Sequence, residues 1–139
     1  MRLPNDITAN PSLFWPFVFA DFGFGGLSGV LLAMGEFKWA SLVILVGIPP
    51  NLYFAFPALF NPSYAIRKGY LRAGSETVWP RNAGLLIFII TAAHVLAAID
   101  SERFEAVAWL TVGGRLTAGV YWVIVALSKP FSRDSHSIE

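Results

Sequence analysis

Asp21, Asn51, His94 and Arg115 are the residues of this chain whose types and spacing can do chemistry. Each is surrounded by apolar sequence. A carboxylate, an imidazole and a guanidinium supply a proton acceptor, a proton carrier and an anion stabiliser, and the Asn51 amide both donates and accepts. Asp21 interrupts "FVFADFGFGGLSG", His94 stands in "IITAAHVLAA", and Arg115 follows a glycine pair in "TVGGRLTAG". Asn51 comes directly after Pro49 and Pro50 in "VGIPPNLYF".

The elements that must position these groups are set by composition. Of 139 residues, 55% are apolar and only 14% charged. Soluble domains carry roughly 25% charged residues, so the chain is expected to live in a membrane. Cysteine is absent. That excludes disulfides, thiolate metal sites and dithiol redox chemistry.

A helix needs about 20 residues to cross hydrocarbon roughly 30 Å thick. Segments of that length run from residues 13–34, 39–60, 83–99 and 106–127. The connections 35–38 ("GEFK") and 100–105 ("DSERFE") are long enough only for tight turns. The expected fold is therefore all-α: one transmembrane domain over residues 1–139, a polytopic four-helix bundle made of two helical hairpins. Pro49 and Pro50 remove two amide donors and leave the carbonyls of Leu45 and Val46 without helical partners, so the second helix is expected to kink or break there. Sliding one hairpin onto the other matches none of the polar residues, so no functional repeat is read.

Cations set the orientation. Arg2, Arg67, Lys68, Arg72, Arg81, Lys129 and Arg133 lie on the tails and the long loop 61–81, against Lys38 and Arg103 on the two turns. The excess predicts both termini and the loop in the cytoplasm. The leading segment has a single cation, an internal aspartate and no small-residue cleavage pattern, so it is expected to be a retained helix rather than a signal peptide. Loop 61–81 interleaves Tyr64, Tyr70 and Trp79 with its cations. Between two spans that pattern predicts a solvated or headgroup-associated loop, not a nucleic-acid site.

Ionisable residues at membrane depth are costly, roughly 2.5–3.5 kcal/mol each on insertion scales, and face protein or water. At about 1.5 Å per residue, Asp21 and Asn51 fall some 12–14 Å from the cytoplasmic ends of their helices, and His94 and Arg115 about 17–18 Å from theirs. An arginine stem spans the difference, so the four groups are expected to meet near the midplane. Asp21, Gly25 and Gly29 share one helical stripe, and Thr111, Arg115, Gly119 and Trp122 another. These faces predict an Asp21–Arg115 ion pair. Tyr53, Thr91, Thr111, Tyr121 and Trp122 are expected around it.

Several motifs fail. "GFGGLSG" has the wrong glycine spacing for a dinucleotide loop and no preceding strand. No Glu-x-x-His, second span histidine or Cys/His cluster exists, so neither a metal nor a haem site is expected. No cofactor is expected.

The glycine-bearing first helix, "PRNAGLLIFIITAAHVLAAID" for the third and "GGRLTAGVYW" for the fourth together resemble the DoxX-like small membrane proteins of bacteria. The resemblance implies a four-helix bundle of the bacterial inner membrane, sometimes a subunit of a quinone-linked oxidoreductase.

Three functions follow as expectations. The first is a bundle that binds a quinone- or lipid-like molecule through Asp21, Asn51, Tyr53, His94, Arg115 and Trp122, or that serves a larger complex or homo-oligomer as an accessory subunit. The second is an isomerase- or cyclase-type enzyme for an apolar substrate, with Asp21, His94 and Arg115 catalytic. The third is proton or small-ion translocation through the same groups. Membrane lipids are partners in all of them.

Overall fold

A computed structural model of the protein describes residues 11–67 and 78–128, and every element among them is helical. In chain order these are α1 (Pro11–Ala33), α2 (Phe37–Val46), α3 (Ile48–Phe60), α4 (Pro62–Arg67), α5 (Val78–Ile99) and α6 (Glu105–Ser128). The cations Arg2, Lys68, Arg72, Lys129 and Arg133 and the loop residues 68–77, Tyr70 among them, lie outside the described residues.

Among the described residues, four helical stretches are long and apolar enough to cross a membrane: Trp15–Ala33, Phe37–Phe60, Arg81–Ile99 and Glu105–Ile124. The second is α2 and α3 taken together. Their outer surfaces agree with a hydrocarbon solvent, since Phe19, Val30, Met34, Leu86, Ile89, Leu110 and Ile124 are all exposed. A surface so apolar would associate in water, whereas lipid solvates it. These features point to an integral membrane protein.

The helix ends have local causes. At the end of α1, Gly35 adopts φ +75, a left-handed conformation that glycine takes without steric cost. Its N–H donates to Leu32 O at 3.0 Å, and the Glu36 N–H reaches back to Leu31 O at 2.9 Å. This 6→1 and 5→2 pair is a Schellman cap, and it turns the chain tightly into α2. Between α5 and α6, the Asp100 carboxylate accepts the Arg103 N–H at 3.0 Å, closing the second turn. Helix α5 starts at Val78, before the expected Ala83. Pro80 is accommodated because first-turn amides have no intrahelical partner to lose.

Along the second stretch the helix changes from α2 to α3 at Gly47, two residues before the proline pair. The Gly47 N–H is shared between Val43 O and Ile44 O, both at 3.1 Å.

Helix α6 packs on α1 and α5, α5 also packs on α2 and α3, and α2 packs on α1. The four stretches thus close into a ring. Its core joins Leu32, Ala40, Ile44, Ala97, Ala108 and Val112. Small residues let the backbones approach closely. A Cβ added at Gly84 would stand 2.8 Å from Leu59 N, and one at Gly29 would stand 3.0 Å from Val112 Cγ1.

Candidate functional site

Arg115 is the hub of the polar centre. It projects from α6 toward the point where α2 gives way to α3, and its guanidinium is held from three directions. Nη2 donates to the Gly47 carbonyl at 2.6 Å and to Asn51 Oδ1 at 3.3 Å. Nη1 donates to Asp21 Oδ1 at 3.4 Å, forming a buried salt bridge with side-chain exposures of 7% for Arg115 and 20% for Asp21. The Phe24 ring lies beneath, its centroid 5.4 Å from Arg115 Cζ, within cation–π range. The expected ion pair is present, and the glycine stripe explains its register. A Cβ added at Gly25 would stand 3.0 Å from Arg115 Cβ, tighter than an ordinary contact, so the glycine lets α1 come this close to α6 without either helix giving way.

Distances rank the contacts. Charged N–H···O bonds usually fall near 2.7–2.9 Å, so the Gly47 carbonyl is the strongest partner and the Asp21 carboxylate the loosest. The shortest contact on Arg115 was therefore not read from the sequence, because it is made by backbone. The proline pair marks the region but not the acceptor: Pro49 and Pro50 free the carbonyls of Leu45 and Val46, four residues earlier, whereas the carbonyl that meets Arg115 is that of Gly47, where α2 gives way to α3. A Cβ at Gly47 would stand 2.9 Å from Arg115 Nη2, at the end of a flexible side chain, so a larger residue there displaces the guanidinium from its present position.

The remaining expected residues are placed as follows. His94 is 3% exposed on α5. Its Nδ1 lies 2.9 Å from Ile90 O. A carbonyl can only accept, so Nδ1 carries the proton and a neutral ring presents Nε2 as a bare acceptor. Nε2 is sealed from solvent and has no hydrogen-bond partner among the described residues. His94 is thus outside the hydrogen-bonded group of Asp21, Gly47, Asn51 and Arg115. Tyr53 is 59% exposed on the outer side of α3. Trp122 is half-buried and meets Tyr121 edge to face at 5.4 Å. Thr91 and Thr111 are buried, with their hydroxyls spent on Ile87 O and Ala108 O of their own helices.

A second polar junction went unread in the sequence. The Ser101 hydroxyl donates to Phe37 O at 2.6 Å, the Ser101 N–H donates to Ser41 Oγ at 3.1 Å, and Ser41 Oγ reaches Ala97 O at 3.4 Å. This neutral latch joins the start of α2 to the end of α5. Serines in turns are too common to single out such a contact beforehand.

Chemically, the centre holds a cation whose charge is met by one carboxylate, a backbone dipole and an amide. His94 adds a buried Nε2 with no hydrogen-bond partner among the described residues. Among the described residues no group of three or more His, Cys, Asp or Glu side chains comes together as a metal site would require. No family model, curated protein or solved structure matches this chain.

Proposed function

We propose that this chain is a single-domain integral membrane bundle of two helical hairpins, its second span kinked where α2 meets α3, that holds a quinone- or lipid-like molecule at its polar centre. It does so either alone or as the accessory subunit of a larger membrane complex. Both termini and loop 61–81 belong on the cytoplasmic side, as the distribution of Lys and Arg implies. The layout shared with DoxX-like proteins is consistent with this reading.

One observation carries it: the buried, partnerless Nε2 of His94. More than about 90% of buried polar groups find a partner, and leaving one unmet costs roughly 1–3 kcal/mol. A lipophilic molecule bearing a hydroxyl would relieve that cost by donating to Nε2, displacing the side chains that now seal it. Arg115 then acts as a support, because its acceptors hold it in place before any ligand arrives.

The same lone pair also favours the enzymatic alternative, with His94 as general base toward an apolar substrate. In that reading Ile90 O orients the ring, while Asp21 neutralises Arg115. Proton or ion translocation is the weakest alternative, since Asp21 is tied to Arg115.

The test is thermal unfolding of the purified protein in detergent, with and without short-chain quinols, quinones and lipids. A ligand present at about 100 times its Kd should add roughly 2.7 kcal/mol of stability. His94→Phe, which keeps a ring but removes the acceptor, should abolish the gain. An unfolding curve unmoved by every lipophile would refute the reading.

A further inference from the structure

The wild-type surface carries a second feature, unrelated to the polar centre. At the end of the bundle bearing the two short turns, a groove of about 390 Å³ runs between α2 and α5, lined by Lys38, Trp39, Ser41, Leu42, Leu45 and Ala98. Lys38, Leu42 and Leu45 recur at i, i+4 and i+7 and so share one helical face. The groove therefore has a cation at its mouth and hydrocarbon along its floor. Trp39, Leu42 and Leu45 are exposed, and among the described residues Lys38 forms no ion pair.

The mouth is not simply basic. Glu36, Asp100, Glu102 and Glu105 are exposed on the same two turns, against Lys38 and Arg103. The Ser41–Ser101 latch ties the start of α2 to the end of α5, so Asp100 stands two residues beyond the groove-lining Ala98. A phosphate alone would find Lys38 and then meet surplus negative charge.

We propose that this groove seats one diacyl phospholipid whose headgroup carries both a phosphate and a primary ammonium. The phosphate pairs with Lys38 and the ammonium faces the acidic turn at Asp100. An acyl chain lies along Leu42, Leu45 and Ala98, and Trp39 sits at headgroup level, where amphipathic rings concentrate. A glycerol headgroup lacks the ammonium, a serine headgroup brings a further carboxylate toward the acidic turns, and a quaternary ammonium lacks the N–H donors that a carboxylate would accept.

Native mass spectrometry of the detergent-solubilised chain tests this, using phosphatidylethanolamine, phosphatidylcholine and phosphatidylglycerol with identical acyl chains. The wild type should retain phosphatidylethanolamine best, at one copy per chain. Lys38→Gln should weaken that retention about fivefold, the worth of one basic side chain beside a headgroup. Asp100→Asn, which removes the charge but keeps an Oδ1 acceptor for the Arg103 N–H, should shift preference toward phosphatidylglycerol. Both substitutions are on the surface and leave the core intact. Equal retention of all three lipids by the wild type would overturn the proposal, as would better retention of phosphatidylglycerol or an unchanged Lys38→Gln variant.

Discussion

The two polar junctions of this bundle tie the second membrane stretch to its neighbours by opposite means. Around Arg115, a charged group reaches from α6 to a backbone carbonyl, an amide and a carboxylate. Between Ser41 and Ser101, neutral hydroxyls and amides join α2 to α5. Both span more than one helix, but they differ in what remains when they break. Removing a serine hydroxyl leaves a few neutral groups short of one bond each. Removing the guanidinium leaves a carboxylate at membrane depth with no counter-ion, and a buried charge without a partner is among the costliest states a protein can hold. A charged junction thus specifies its geometry more sharply than a neutral one, while contributing little net stability over an apolar filling.

The comparison can be broken at its charged side first. Arg115→Met should cost about 3–5 kcal/mol in reversible unfolding in mixed micelles, since it strands Asp21 and uncovers the Gly47 carbonyl. Adding Asp21→Leu to Arg115→Met should recover most of that loss, because an apolar pair of similar volume needs no counter-ion. A double variant as unstable as the single one would show that the Gly47 and Asn51 contacts, not the ion pair, dominate.

On the neutral side, Ser101→Ala should cost about 0.6–1.7 kcal/mol, from the average to the largest interhelical hydrogen bond that double-mutant cycles find inside membranes. The same unfolding titration checks it. A loss equal to that of Arg115→Met would erase the distinction between the junctions.

The smallest effect belongs to a position that joins nothing. A Cβ added at Gly113 meets nothing within 4 Å. Gly113→Ala should leave unfolding within about 1 kcal/mol of wild type, on the stabilising side, as helix propensity favours alanine. A clear loss would mark this open face of α6 as packed against a second copy of the chain in the micelle, a readout for the homo-oligomer reading.

Much of the fold was legible because lipid imposes a length on apolar segments, and the four stretches stand within a few residues of where hydropathy puts them. The Asp21–Arg115 pair was legible for a related reason: Gly25 and Gly29 mark the face of α1 that a partner approaches, and a charge on that face requires a counter-charge. The Gly47 carbonyl was not legible as an acceptor, since every residue has a carbonyl and only local geometry frees one. The same holds for Ser101, whose partners are the Phe37 carbonyl and Ser41 on a distant helix. The isolation of His94 from the Arg115 group is likewise a matter of side-chain direction. Helical depth puts the two at one level, but only packing decides which way each points.

The salt bridge has one further consequence, for the order in which the chain is made. Its partners are separated by 94 positions. Helix α1 therefore enters the membrane carrying a carboxylate whose counter-ion is translated only with α6. Until α6 arrives, Asp21 bears an insertion cost of roughly 2.5–3.5 kcal/mol by itself. A nascent chain that stops after α5 keeps that cost, so translation of α6 and closure of the bundle are coupled through a single pair of charges.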